Sequence, residues 1–146
     1  MSKIDEYLTR TLTKRDEEET SKILRIKNGL ASQDGTLFLK DYGFRPDGSK
    51  EEYTMGKICN KMGLVNKVCL DIFNIVRSMK PKMCLELSTG IGISGSYIAS
   101  ALKLKKNNGK LITIEGDETL ADLSKDVFYN LGLENVSVVN SKFDEA

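Results

Sequence analysis

Two carboxylates and one run of small residues carry the chemistry of this sequence. Glu86 stands inside an apolar run, Met83-Cys84-Leu85-Glu86-Leu87. Ser88, Thr89, Gly90, Gly92, Ser94, Gly95 and Ser96 follow at once. Glu115 closes a second apolar run, Lys110-Leu111-Ile112-Thr113-Ile114. A glycine-rich turn lets backbone approach a ligand with no side chain in the way, and the helix after it adds the positive end of its dipole. A carboxylate in an apolar strand is costly to bury unpaired. At the carboxyl end of a parallel strand it faces the crevice where open α/β sheets bind ligands. An acid ending the second strand is the usual acceptor for ribose hydroxyls. The pair with the glycines predicts a nucleoside ligand. The plainer alternative keeps Glu86 on an exposed edge and makes Glu115 a residue that merely precedes a helix.

These groups need elements to hold them. Pro81 predicts a helix boundary just before the first run, which itself predicts a strand over 83–87. Tyr97, Ile98, Ala101 and Leu102 recur at helical spacing after the turn. Residues 110–114 predict a second strand. Leu120, Leu123, Val127, Phe128 and Leu131 predict a helix stopped by Gly132. Val136-Ser137-Val138-Val139 predicts a third strand. The order from residue 83 is β-α-β-α-β, which predicts a parallel sheet with right-handed crossovers.

Upstream, residues 64–79 predict an amphipathic helix. Val65, Val68, Cys69, Ile72, Phe73, Val76 and Met79 form its apolar stripe. Ser49 and Glu52 are spaced as a capping box, predicting a helix that ends near Met62-Gly63. Arg45-Pro46-Asp47-Gly48 has turn chemistry. Thr36-Leu37-Phe38-Leu39 fits a short strand or a packed loop. Residues 3–28 read as polar helix. Narrow stripes lie at Ile4, Tyr7, Leu8 and Leu12 and at Ile23, Leu24 and Ile26. The charge run from Lys14 to Glu19 predicts a solvated face, and Asn28-Gly29 a helix stop. The resulting division is an N-terminal extension over 1–50 and a ligand-binding domain over 51–146.

With 146 residues the chain has the size of one domain. A net charge of +1 gives no case for a nucleic-acid or membrane surface. No apolar run approaches the roughly 20 residues of a membrane span, and the first residues lack the apolar core of a signal peptide. Three cysteines, Cys59, Cys69 and Cys84, show no CxxC spacing and read as thiols of a reducing, cytoplasmic compartment. Histidine is absent, which removes His-based triads and His metal ligands from these residues. No cluster has metal-ligand spacing.

Gly90 to Gly95 matches GxGxxG, with Glu115 about 20 residues on, the fingerprint of dinucleotide sites. Three details argue against a nicotinamide-dependent oxidoreductase. Ser88-Thr89 intervene before the first glycine, an acid stands four residues before it, and Ser94 takes a place where only smallness is needed. Residues 83–146 instead resemble the class I S-adenosylmethionine-dependent methyltransferases, in the O-methyltransferase group similar to catechol and caffeoyl-CoA methyltransferases. Leu85 to Ser94 looks like that group's first motif and Ile112 to Asp117 like its second.

The resemblance implies S-adenosylmethionine as cofactor and methyl transfer, to oxygen, on a small-molecule acceptor. It implies that Glu86 takes the ammonium of the methionine moiety, directly or through water. The backbone of Ser88, Thr89, Gly90 and Gly92 would pass beneath the cofactor. Ser94 would bind its carboxylate, and Glu115, with Gly116 beside it, the ribose hydroxyls. Asp144 is the candidate for the adenine amino group, because Lys142 falls at or near the family's acid. Ser88 replaces the family's first glycine, which is tolerable if its φ stays negative. The family's sheet has seven strands, so the chain would be the βαβαβ half of that fold, preceded by N-terminal helices. Its first strand would then carry an unpaired edge. Alternatives are a fragment, a homodimer that covers the edge, or a non-catalytic cofactor-binding or assembly module.

Overall fold

The structure, a computed structural model, describes residues 2–40, 42, 47–62, 64–103 and 108–146, without the side chains of 61 and 62. Two helices, α1 (Lys3–Leu8) and α2 (Lys14–Ala31), lead into a hairpin of β1 (Thr36–Lys40) and β2 (Lys50–Thr54). A short helix α3 (Met55–Lys57) runs on into a π turn (Ile58–Met62), and α4 (Asn66–Met79) follows. Then come β3 (Met83–Leu87), α5 (Ile93–Lys103), β4 (Lys110–Glu115), α6 (Glu118–Asn130) and β5 (Val136–Asn140).

β3, β4 and β5 form a parallel sheet in that order. The predicted strand over 83–87 is β3 residue for residue. The sheet has a covered face and a second face that is open along β3 but buried at Ile114 of β4. Cys84, Glu86, Leu111, Thr113, Glu115, Val136 and Val138 share one face by alternation, and α5 and α6 pack over it. Leu111 and Thr113 are fully buried there. On the other face Met83, Leu85 and Leu87 stay 55–63% exposed, and Val139 is exposed too. β3 is an edge strand, as expected of the partial sheet.

The same openness corrects the reading of α4. Cys69, Phe73 and Val76 are buried and Ile72 packs on the core, but Val65, Val68 and Met79 are exposed. The stripe is wider than the surface α5 and α1 present to it.

Other expectations fail for identifiable reasons. The capping box at Ser49 starts no helix. Asp47 Oδ1 takes the Ser49 N–H at 3.0 Å in a turn, and residues 50–54 pair antiparallel with β1, Leu39 opposite Glu51 and Leu37 opposite Tyr53. Burial of Leu39 and Tyr53 outweighs the local signature. The cap moves to Thr54, whose hydroxyl accepts from Lys57 N. Gly48 has the expected positive φ of 72°, while Arg45 and Pro46 lie outside the described residues, as does Gly63. Asn28-Gly29 does not stop α2. Leu30 and Ala31 pack on the core, and Ser32 closes the helix by bonding back to Asn28 and Gly29.

The charge run is only partly solvated, because Asp16 is fully buried. It sits three residues into α2, whose cap is Thr13, and its Oδ2 takes the Thr13 N–H at 2.9 Å. Arg10 Nη2 donates to the same oxygen at 2.5 Å, and Arg77 Nε reaches Oδ1 at 3.2 Å from α4. Asn74 and Arg10 exchange two further bonds. The group clamps the N-terminal segment to α4.

Burial opposes ionisation of Asp16, yet the Thr13 amide and Arg10 prevail and hold its carboxyl at about 2, below the usual 3.8. A depressed carboxyl stabilises the fold above its unfolded pKa and loses that contribution as pH falls through the folded one. Asp16→Asn should therefore lower stability by about 2 kcal/mol at neutral pH. Denaturant melts should show the gap from wild type shrinking as pH falls from about 4 to about 2.

Candidate functional site

After β3 the chain turns through three positive φ angles, 68° at Ser88, 55° at Gly90 and 79° at Gly92, and enters α5. The turn is laced to the end of β4. Ser88 N and Thr89 N both donate to Ile114 O, at 3.0 and 3.2 Å. Gly90 N donates to Glu115 Oε2 at 2.7 Å. Asp117 N donates to Glu115 Oε1 at 3.0 Å. Both carboxylate oxygens of Glu115 thus grip backbone, one on each side of the crevice at the carboxyl ends of the strands. Gly92 N bonds to Thr89 O within the turn. With these four turn amides already committed, the turn is poorly disposed to cradle a pyrophosphate, which needs amides aimed at the ligand.

Ser88 departs from the expected negative φ. It lies in the left-handed region, where a side chain costs about 1 kcal/mol or more. The lacing of its N–H to Ile114 O holds it there. Ser88→Gly should raise stability by up to about 1 kcal/mol, the gain being partly offset by a more flexible unfolded chain. A thermal melt checks this.

Glu86 lies on the covered face, half-buried under the turn. Its Oε1 accepts from Ser94 Oγ at 2.6 Å and its Oε2 from Thr113 Oγ1 at 2.7 Å. Thr113 gives its proton to Glu86, so Thr89 Oγ1, 2.6 Å away and buried, donates to Thr113. The side chains of Thr89 and Ser94 therefore point into this network. For Ser94 to bind a ligand carboxylate through its hydroxyl, that single proton must leave Glu86. Burial pushes the Glu86 carboxyl above its usual range against the pull of Ser94 and Thr113, and the nearby Glu115 charge adds to the rise. Burial likewise pushes Glu115 up, opposed by the amides of Asp117 and Gly90.

The glycines are spaces these side chains need. A Cβ on Gly95 would stand 2.8 Å from Glu86 Oε2 and 3.0 Å from Phe128 Cζ. A Cβ on Gly92 would meet Phe128 and Ser124 at 3.1 Å. Gly95→Ala should cost about 1–3 kcal/mol, since the covered face cannot widen without moving α6. A denaturant melt reads the loss.

Glu86, Ser88, Thr89, Gly90, Gly92, Ser94, Glu115 and Gly116 all gather at the ends of β3 and β4. Asp144 is exposed in the last turn after β5. Three residues of the site were missed. Thr113 breaks an apolar strand with the parity of Glu115, which is a readable signal. Asp117 is fully buried, caps α6 through Leu120 N at 2.9 Å and takes the Lys40 N–H at 2.7 Å. Its capping role is legible from the acid before an apolar helix, but its hold on β1 is not. Tyr42, against Gly116, has no local signal. Among the described residues no acidic or cysteine cluster could hold a metal ion.

By structure the chain is similar to solved O-methyltransferases. One from Bacillus cereus, in complex with S-adenosylhomocysteine, matches 97% of this chain and 51% of its own at a TM-score of 0.55 and 15% identity. A putative O-methyltransferase from Klebsiella pneumoniae matches 99% and 52%, at 0.52 and 18%. TomG of Streptomyces achromogenes, an O-methyltransferase involved in tomaymycin synthesis and bound to S-adenosylmethionine, matches 92% and 54%, at 0.54 and 15%. No family model and no curated protein matches by sequence. The fold is therefore that of an S-adenosylmethionine-dependent O-methyltransferase in part: the chain spans about half the length of these structures. Among the described residues no helix is long and apolar enough to cross a membrane.

Proposed function

We propose that this chain binds S-adenosylmethionine and forms the cofactor-binding part of a methyltransferase acting on an oxygen of a small molecule. The observation that carries this reading is Glu115. It is a buried carboxylate at the end of the second parallel strand, fixed by Gly90 N and Asp117 N beside a glycine turn. Each carboxylate oxygen accepts more than one hydrogen bond, so Glu115 can take the two ribose hydroxyls while keeping its backbone partners. Gly90 lets the cofactor lie against the turn, and Gly92 lets the turn close over Phe128 and Ser124. Glu86 and Ser94 form the polar group at the start of α5 that would face the methionine end.

The reaction is an in-line displacement. Bound here, S-adenosylmethionine would supply the methyl group: an acceptor hydroxyl would lose its proton to a base or water and gain the methyl as the carbon–sulfur bond broke and its electron pair returned to sulfur, giving S-adenosylhomocysteine. The sulfonium is already activated, so much of the rate comes from holding the partners in line. On this reading the described residues would hold one of those partners, the cofactor.

A second reading, a non-catalytic assembly module, is favoured by the uncovered apolar face of β3. Oligomeric state by light scattering, with and without residues 1–28, separates the two, since the clamp at Asp16 makes the N-terminal segment either an internal brace or a pairing arm.

Calorimetric titration with S-adenosylhomocysteine tests the cofactor reading. Wild type should bind at micromolar levels, and Glu115→Ala should bind about 10- to 100-fold more weakly, the loss expected for hydrogen bonds to a charged acceptor. A folded wild-type chain with no measurable binding would overturn it.

A further inference from the structure

Glu115 is followed by a glycine, and a ring from elsewhere fills the place its side chain would take. A Cβ on Gly116 would stand 2.8 Å from Tyr42 Cδ2 and 3.0 Å from Cε2. Another edge of the ring meets Gly48, where a Cβ would lie 3.3 Å from Cε1. Tyr42 is thus half-buried between two glycines. Lys142 Nζ, from just beyond β5, lies 5.8 Å from the ring centroid, within cation–π range. Two residues before Tyr42, Lys40 N donates to the buried Asp117. An aromatic side chain from the hairpin is therefore held at the carboxyl ends of β4 and β5, beside the carboxylate assigned to ribose.

We propose that Tyr42 is the aromatic wall of the nucleobase part of this site, packing its ring against the base of an adenosyl group whose ribose Glu115 holds. This rests on the nucleoside reading of Glu115 and extends it. In a nucleoside the base is bonded to C1′, the carbon next to the one that bears the 2′-hydroxyl. A carboxylate holding the 2′- and 3′-hydroxyls therefore keeps the base within a sugar's width of Glu115, and we place it on the side of Gly116, where the Tyr42 ring lies. A ring in contact with Gly116 is within reach of that base. The flat contact suits any purine, so Tyr42 supplies affinity for a base face, and recognition of the adenine edge falls to other groups.

The sequence contains no tryptophan, which gives a clean test. Tyr42→Trp places a sole indole reporter at the site. Titration with S-adenosylhomocysteine should quench its emission as the base stacks, a signal that a purely structural plug would not give. In calorimetry Tyr42→Phe should bind within a few-fold of wild type, and Tyr42→Ala about 10- to 100-fold more weakly. If Tyr42→Ala does not fold, the quenching decides alone. Wild-type binding with unquenched emission in the Tyr42→Trp protein, or with full affinity in a folded Tyr42→Ala protein, overturns the proposal and leaves the Glu115 reading standing. No binding by folded wild type removes both.

Discussion

The site depends on one set of bonds, those that lace the turn after β3 to the end of β4. Ile114 O receives two amides, and Glu115 receives a third from Gly90 and a fourth from Asp117. Two parallel strands are thereby joined at their carboxyl ends by more than their ladder. The lacing forces positive φ at Ser88 and Gly90 and sets the direction in which α5 departs. It also fixes where α6 begins, because Asp117 follows Glu115 by two residues and caps that helix. The hairpin is tied to the same point through Lys40. Loosening Glu115 would therefore disturb the turn, the cap and the hairpin together.

How much of this could be read from the chain depends on how far apart the partners are. β3, β4, β5 and the helices between them were legible, because each is a single apolar period and Pro81, Gly116 and Gly132 mark several of the boundaries. The roles of Gly90 and Gly92 were legible as a turn. The hairpin was not, since a capping-box spacing at Ser49 competes with a pairing partner 12 residues earlier, Leu39 opposite Glu51. Asp16 looked solvated because its neighbours are charged. Only the fold brings Arg77 to it from 61 positions away. The positive φ of Ser88 was not legible, because it goes with hydrogen bonds to β4 and not with the residue type. Tyr42 was invisible for the same reason: a glycine at 116 signals space, but not what fills it.

The uncovered face places a further demand on the fold. Met83, Leu85 and Leu87 are more than half exposed, in an edge strand that pairs on its outer side with no strand among the described residues. Val65, Val68 and Met79 of α4 are also exposed. Exposed apolar residues grouped on one strand face mark an association surface, and an edge of this kind is a template for a further strand. The solved methyltransferases of like fold are about twice as long as the stretch they share with this chain.

Electrostatics then bears on which ligand the site prefers. Glu86 and Glu115 are both sheltered, and each is satisfied by hydroxyls or amides and not by an ion pair among the described residues. Burial raises both carboxyls, and the charge of Glu115 raises Glu86 further. Two sheltered negative charges without a cation form a site that gains most from a positive ligand. On the proposed reading, S-adenosylmethionine brings an ammonium and a sulfonium to that field. Without its sulfonium the demethylated form keeps an ammonium and a carboxylate and carries one positive charge fewer, so on that reading the two carboxylates favour the sulfonium form over S-adenosylhomocysteine.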